Sequence, residues 1–336
     1  MKISPNDDRE EAILQWLTEE LHFTITEFSP ASSDASFRRY FRIEHRQQHY
    51  IVMDAPPEKE ETAPFIKVAR LFQQAQVNVP EIIAQETQQG FLLLEDFGSK
   101  CLLDCLNETN VDQLYKVALD SLFTLQKNTS IQQADLPHYD KQLLQTELDL
   151  FSDWFLKQHC QLTLSITEQS ALDASYLLLI NSALQQTQVC VHRDYHSRNL
   201  MYINDNNLGI IDFQDAVIGP VTYDAVSLLR DCYISWSEQQ IEHCLLPYFQ
   251  QLLDAHLIAC DFQQFKRDFD LMGIQRHLKA IGIFARLNIR DGKSIYLSDI
   301  PRTLNYVIKV SQHYPELKPL QTFLIKTVLP ISQKSL

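Results

Sequence analysis

The stretch Cys190-Val-His-Arg-Asp194-Tyr-His-Ser-Arg-Asn199, followed shortly by Leu208-Gly-Ile-Ile-Asp212-Phe-Gln214, decides how this chain is read. Transfer of a phosphoryl group needs a carboxylate beside the attacking hydroxyl and a divalent cation held against the phosphates. The spacing His-Arg-Asp-x-x-x-x-Asn supplies both. Asp194 can orient and deprotonate an acceptor hydroxyl, and Asn199 can offer an oxygen to Mg²⁺. Asp212 closes an apolar strand, Gly209–Ile211, and from there can hold the cation that bridges the phosphates. The plainer reading is a polar turn followed by an ordinary strand-ending Asp; the matched spacing and the placement of Asp212 together argue against it.

Working outward, the hydrophobic period changes along the chain. Residues 8–21 predict a helix, followed by short strands over His22–Phe28, Phe37–Glu44 and His49–Asp54. In the second strand Phe37, Arg39, Phe41 and Ile43 alternate with Arg38, Tyr40 and Arg42, as a pleated strand requires. A helix is expected over Pro64–Gln76 and strands over Glu81–Gln85 and Gly90–Glu95. Beyond Asp96 helical patterns dominate. Asn110–Lys127 opens with N-x-x-Q and Ser165–Gln186 with S-x-x-E, both compatible with capping boxes. A β island over Gln188–Phe213 interrupts the helices, which resume from Pro220. The expected fold class is α+β, two-lobed and protein-kinase-like. A small β-rich N-terminal nucleotide-binding lobe, residues 1–96, joins near Leu94–Gly98 to a larger helical lobe, residues 97–336, that carries the catalytic and acceptor-binding groups.

Composition narrows the partners. Hydrophobic residues make up 45% and charged residues 21% of the 336, an ordinary globular balance. A formal net charge of -14 opposes nucleic-acid binding, which draws its affinity from basic surface, and opposes attraction to an anionic membrane. No apolar run reaches the length of a membrane span. The N-terminal MKISPNDDREE lacks the apolar segment of a secretory signal. Seven scattered cysteines without a C-x-x-C pair read as incidental thiols of a reducing compartment. The cytoplasm is the expected location, and no obligate protein partner is evident.

The chain resembles the aminoglycoside phosphotransferase superfamily. Asp212 is followed by Phe213-Gln214 where protein kinases have Phe-Gly, and Gly219-Pro220-Val-Thr-Tyr223-Asp224 arrives almost at once. That leaves no room for an activation loop or a peptide-docking segment, so a small acceptor is expected. Asp224 resembles the family residue that braces the catalytic loop by hydrogen bonding. Further blocks are similar to the bacterial N-acetylmuramate/N-acetylglucosamine anomeric kinases: Ser33-Asp-Ala-Ser-Phe-Arg-Arg-Tyr-Phe-Arg42, Met53-Asp-Ala-Pro-Pro57, Glu147-Leu-Asp-Leu-Phe-Ser-Asp-Trp-Phe155, Leu228-Leu-Arg-Asp-Cys-Tyr233 and Gln275-Arg-His-Leu-Lys279. They span nearly the whole chain. The resemblance implies ATP and Mg²⁺ as cofactors and an amino sugar as substrate. It also implies phosphorylation at C1 to the α-1-phosphate in peptidoglycan recycling. Two alternatives stand beside it: another small-molecule kinase of the aminoglycoside or choline type, and a catalytically silent nucleotide-binding pseudokinase.

The nucleotide lobe departs from the kinase pattern. Only seven glycines occur, and Ser32-Ser-Asp-Ala-Ser36 occupies the place of a Gly-rich loop. The third expected strand ends in Met53-Asp54 without a lysine, and Pro64–Gln76 has no glutamate to pair with one. Arg39, Arg42 and Lys59 are the candidate phosphate cations, beside the backbone of Ser33 and Ser36. Met53 is a candidate for the adenine sandwich, and the backbone around Glu95 and Phe97 for the adenine edge. On the acceptor side, Gln214, Asp215, Arg230 and Asp231 follow the catalytic strand closely enough to meet sugar hydroxyls. Arg276, Lys279, Arg286 and Arg290 share a helix face within about 80°. An arginine fork there would suit the lactyl carboxylate of N-acetylmuramate. The plain reading of that stripe is a solvated helix face, and His196 has no assigned role.

Overall fold

Residues 7–33 and 37–335 are described by the computed structural model, in which the alternating stretch around Phe41 is a strand, as its period predicts. The elements run α1 (Asp8–Gln15), β1 (Ile25–Ser33), β2 (Arg39–His45), β3 (Gln48–Asp54), α2 (Ala63–Gln74), β4 (Ile82–Glu86), β5 (Phe91–Glu95) and α3 (Leu102–Cys105). Next come α4 (Val111–Asn128), α5 (Lys141–Leu150), α6 (Ile166–Gln185), β6 (Gln188–Val191), β7 (Leu200–Asn204), β8 (Asn207–Ile210) and β9 (Val217–Pro220). The chain ends in α7 (Tyr223–Leu229), α8 (Glu238–Asp254), α9 (Phe262–Asp291), α10 (Ile300–Ser311), α11 (Lys318–Phe323) and α12 (Leu329–Ser335). These elements fall into two units: the chain to Cys105 together with Arg198–Asp215, and Leu106–Ser197 together with the chain from Ala216. The β7–β8 hairpin thus belongs with the sheet, where a single cut after Asp96 would have left it among the helices.

In the first unit an antiparallel sheet of order β1-β2-β3-β5-β4 buries one face against the N-terminal helix. Phe41, Ile43, Val52, Phe91 and Leu93 pack with Ile13, Trp16 and Leu17, each burial worth about 1.5–3 kcal/mol. The β7–β8 hairpin is tied on by Ile210 N donating to Asn78 O (2.8 Å) and Tyr202 N to Lys100 O (2.9 Å). Asp54, fully buried at the end of β3, accepts from Arg9 Nε (2.8 Å) and Arg39 Nε (2.9 Å), which compensates its desolvation.

In the second unit the 30-residue α9 is the axis, about 45 Å long. It is buried on nearly every side from Phe265 to Leu287, against α5, α6, α7 and α10. Gly282 lets it approach the end of α5: a Cβ there would stand 2.3 Å from Leu150 C and 2.6 Å from Phe151 N.

Three expectations are corrected. Ser165 and Glu168 do form a capping box, but Asn110 makes no cap bond; its Oδ1 accepts instead from Asn107 N (2.8 Å). The helices, expected to resume from Pro220, resume later: Pro220 closes a strand, Val217–Pro220, paired with β6, its four residues all buried and so without alternation. For the basic stripe it is the plain alternative that falls: Arg276 and Lys279 are 6% and 8% exposed, not on a solvated face. Among the described residues no helix is long and apolar enough to cross a membrane.

Candidate active site

The segment His192–Ser197 follows β6 and is held by carboxylates of the helical unit. At the start of α7, Asp224 is fully buried and accepts from His192 N (2.7 Å) and Arg193 N (3.0 Å). Burial pushes its carboxyl up to about 7 against the pull of those two amides. Asp231 accepts from Ser197 N (2.9 Å), from the Ser197 hydroxyl and from Tyr233 N (3.0 Å). Tyr195 is buried and donates its hydroxyl to Ala118 O on α4 (2.7 Å). Arg193 carries a φ of 77°, a left-handed conformation that costs a non-glycine residue roughly 1–3 kcal/mol. The surrounding bonds over-determine it.

Arg193 is turned onto Glu147 of α5, where a second set of contacts converges. Glu147 is 4% exposed. It receives Arg193 Nη2 (2.7 Å), Lys279 Nζ (2.9 Å), Gln275 Nε2 (3.2 Å) and the Tyr139 hydroxyl. Lys279 also donates to the Tyr223 hydroxyl (3.0 Å). Burial opposes the charge on Glu147, but Lys279 and Arg193 outweigh it and hold the carboxyl below the ordinary range. The same balance acts on Asp194. Burial would raise its carboxyl, yet Lys279, His196, Arg193 and His192 hold it below the usual carboxylate value. It is an ionised base throughout the neutral range, ready to accept a hydrogen bond from a hydroxyl.

The sheet unit carries the second group of oxygens. Asp212 leaves β8 with a φ of 63°. Its Oδ2 accepts from Asn199 Nδ2 (3.1 Å) and its Oδ1 from Gln214 Nε2 (3.0 Å). Phe213, fully buried, anchors this turn against Phe65 and Phe72 of α2 at ring separations of 4.8 and 5.6 Å. Gln214 Oε1 is buried without a hydrogen-bond partner among the described residues. Asp212, Asn199 and Gln214 thus gather hard oxygens, one of them orphaned, at one turn, a donor set that fits Mg²⁺.

The other expected residues divide. Ser36 lies outside the described residues, as does the side chain of Ser33. Arg39 is committed to Asp54 and Asp7, and Arg42 to Asp96 (2.6 Å) and Gly98 O (2.8 Å). Lys59 is exposed, with its ammonium 5.0 Å from the centre of the Phe37 ring. Met53 is fully buried on β3. Glu95 N is taken by Glu81 O (3.0 Å), whereas the Phe97 ring lies on Gly209, where a Cβ would come within 2.2 Å of it. Asp215 is exposed. Arg230 is not an acceptor contact: it is 1% exposed and paired with Glu238 and Asp270, both at 2.8 Å. Asp231 likewise serves the loop. The sequence reading missed Glu147 as a hub; a lone glutamate between Leu144, Leu148 and Phe151 was the available signal.

A braced His-Arg-Asp loop on a helical unit and an Asn–Asp pair beside an antiparallel sheet define a phosphotransferase of protein-kinase-like fold. The chain belongs to the phosphotransferase enzyme family, whose model matches residues 27–259. It is 46% identical over 295 residues to the N-acetylmuramate/N-acetylglucosamine kinase of Pseudomonas aeruginosa, covering 88% of this chain and 86% of that one. To the kinase of the same description from Pseudomonas putida it is 42% identical over 326 residues, covering 94% and 95%. Among solved structures, the ADP-bound aminoglycoside phosphotransferase APH(2'')-Ib matches with a TM-score of 0.60 over 89% of this chain and 98% of that one. At 16% identity that likeness is one of fold.

Proposed function

We propose that the protein is an ATP-dependent amino-sugar kinase that phosphorylates the C1 hydroxyl of N-acetylmuramate and N-acetylglucosamine, a cytoplasmic step of cell-wall recycling. The observation that carries this reading is the complete His192–Asn199 loop, with Asp194 held ionised, in a chain 46% identical to a kinase of that description. The intact Asn199–Asp212 pair speaks against a silent pseudokinase.

In this reading the helical unit takes the sugar and the sheet unit takes ATP. Asp194 accepts a hydrogen bond from the C1 hydroxyl and fixes its oxygen for in-line attack on the γ-phosphorus, then takes the proton as the new bond forms. A loose transition state asks for alignment more than for early proton removal. Asn199, Asp212 and Gln214 would hold Mg²⁺, which supplies charge neutralisation at the phosphates. Lys59, of the three expected phosphate cations the one with no carboxylate partner among the described residues, meets the phosphates in place of Arg39 and Arg42, and the Phe97 backbone meets the adenine edge.

The test is ADP release with Mg²⁺-ATP against N-acetylmuramate, N-acetylglucosamine, glucose, kanamycin and choline, with phosphorus NMR of the product. Turnover on both N-acetyl sugars with an anomeric phosphate signal is expected. Turnover on kanamycin or choline alone would overturn the substrate and keep the kinase. Asp194→Ala should lower kcat by about 10²–10⁴ while ADP still binds; unchanged turnover would remove Asp194 from the mechanism.

A further inference from the structure

Among the described residues, three lysine or arginine side chains are buried in the helical unit, and two of them are matched by acids. Arg230 pairs with Glu238 and Asp270, and Lys279 with Glu147. Arg276, on the same helix as Lys279, is 6% exposed and has no carboxylate within 4.0 Å among the described residues. Its polar contact is Nη1 at 3.7 Å from Cys232 Sγ, and a thiol is a weak acceptor. Guanidinium does not deprotonate in proteins, so this is a buried charge with donors in hand. Its donors are left without a strong acceptor among the described residues, a place that an incoming oxygen would fill.

What completes it is set by its surroundings. Asp231 and Asp194 lie within the electrostatic reach of Arg276. The neighbourhood holds Arg193, Lys279 and Arg276 against Glu147, Asp194, Asp224 and Asp231, so there is no surplus of positive charge for a carboxylate to neutralise. A neutral acceptor oxygen fits better. Next to Cys232, the Tyr233 ring meets His196 of the catalytic loop edge-on (5.3 Å) and Phe284 of α9 (6.5 Å). A strong, charged donor suits a neutral group that carries a carbonyl oxygen. In an N-acetyl amino sugar that group is the acetamido on C2, adjacent to the C1 hydroxyl that Asp194 must address.

Resting on the amino-sugar kinase reading above, we infer that Arg276 is a specificity-determining residue that donates to the acetamido carbonyl of the acceptor, not to the lactyl carboxylate. It thereby reads the feature that N-acetylmuramate and N-acetylglucosamine share.

The experiment compares wild type, Arg276→Met and Arg276→Lys on N-acetylmuramate, N-acetylglucosamine and glucose, with thermal midpoints and ATP kinetics alongside. Arg276→Met should lower kcat/KM for both N-acetyl sugars by a similar factor, on the order of 10- to 100-fold and mainly through KM. Any turnover of glucose, which lacks the acetamido group, should fall by a smaller factor, so the preference for the acetamido group collapses. Arg276→Lys should recover part of it. The thermal midpoint of Arg276→Met should fall somewhat, because Asp194, Asp224 and Asp231 lose a neighbouring cation, so the midpoint is read together with the sugar preference and not alone. A loss confined to N-acetylmuramate would overturn the inference in favour of a carboxylate anchor. A rise in KM for ATP with sugar preference intact would make Arg276 a phosphate contact, and a lowered midpoint with preference intact would make it structural. Failure of wild type on both N-acetyl sugars would sink the kinase assignment itself, before any variant is compared, and this inference with it.

Discussion

Glu147 shows how much one side chain can hold. Its carboxylate gathers Arg193, Lys279, Gln275 and Tyr139, so it joins the catalytic loop to α9. Glu147→Gln keeps the shape and removes the charge, leaving Arg193 and Lys279 buried without it. Breaking a buried pair from one side costs about 3–5 kcal/mol, to be read from denaturant unfolding. Because Arg193 precedes Asp194 directly, kcat should fall at least 10-fold with KM for ATP unchanged; an equal change in both would point to general damage. At this scale the sequence was legible where spacing is local. Asp194, Asn199 and Asp212 sit within one short stretch, and Asp224 follows closely. Glu147 was not legible, because its partners come from α9 and from a loop 46 residues away. Arg230 and Asp231 misled for the converse reason: nearness in sequence to the catalytic strand did not aim them at an acceptor, and buried acids and loop amides took them first.

Elements with one wet face were readable. β2 alternates, and α2 shows Phe65, Val68, Ala69 and Phe72 at helical spacing, all buried as expected. Elements buried all round were not. β9 has four buried residues and no period to detect, and α9 offers no dry-against-wet contrast, so angular arithmetic on its basic residues left an acceptor-facing stripe and a solvated face both open. The close seating of α9 can be tested at Gly282. Its missing Cβ faces backbone, Leu150 C and Phe151 N, which cannot swing aside as a side chain would. Gly282→Ala should therefore destabilise by about 1–3 kcal/mol despite the helix propensity of alanine, measured as a shift in urea midpoint at constant m. A stabilised variant would contradict the contact.

Across the whole molecule, the chain passes between its two units at three points, and two of them, after Ser197 and after Asp215, fall within or just beyond the signature stretch. A linear reading placed one boundary near residue 96 because only one change of period is visible there; the return of β7–β8 to the sheet is a tertiary fact. With nucleotide assigned to the sheet unit, Mg²⁺-ATP should raise the thermal midpoint, the gain being about 2.7 kcal/mol at a hundredfold excess over Kd. Chelation of the cation should remove most of that gain, and Asp212→Asn should show little difference with and without Mg²⁺. An Asp212→Asn shift equal to that of wild type would take Asp212 out of the metal site. The Arg193–Glu147 pair has a consequence of another kind. Kinases whose corresponding arginine awaits a phosphate are switched on by a second enzyme. Here the counter-charge is written into the gene and present from the moment of folding. The loop arginine therefore needs no added phosphate to meet a counter-charge.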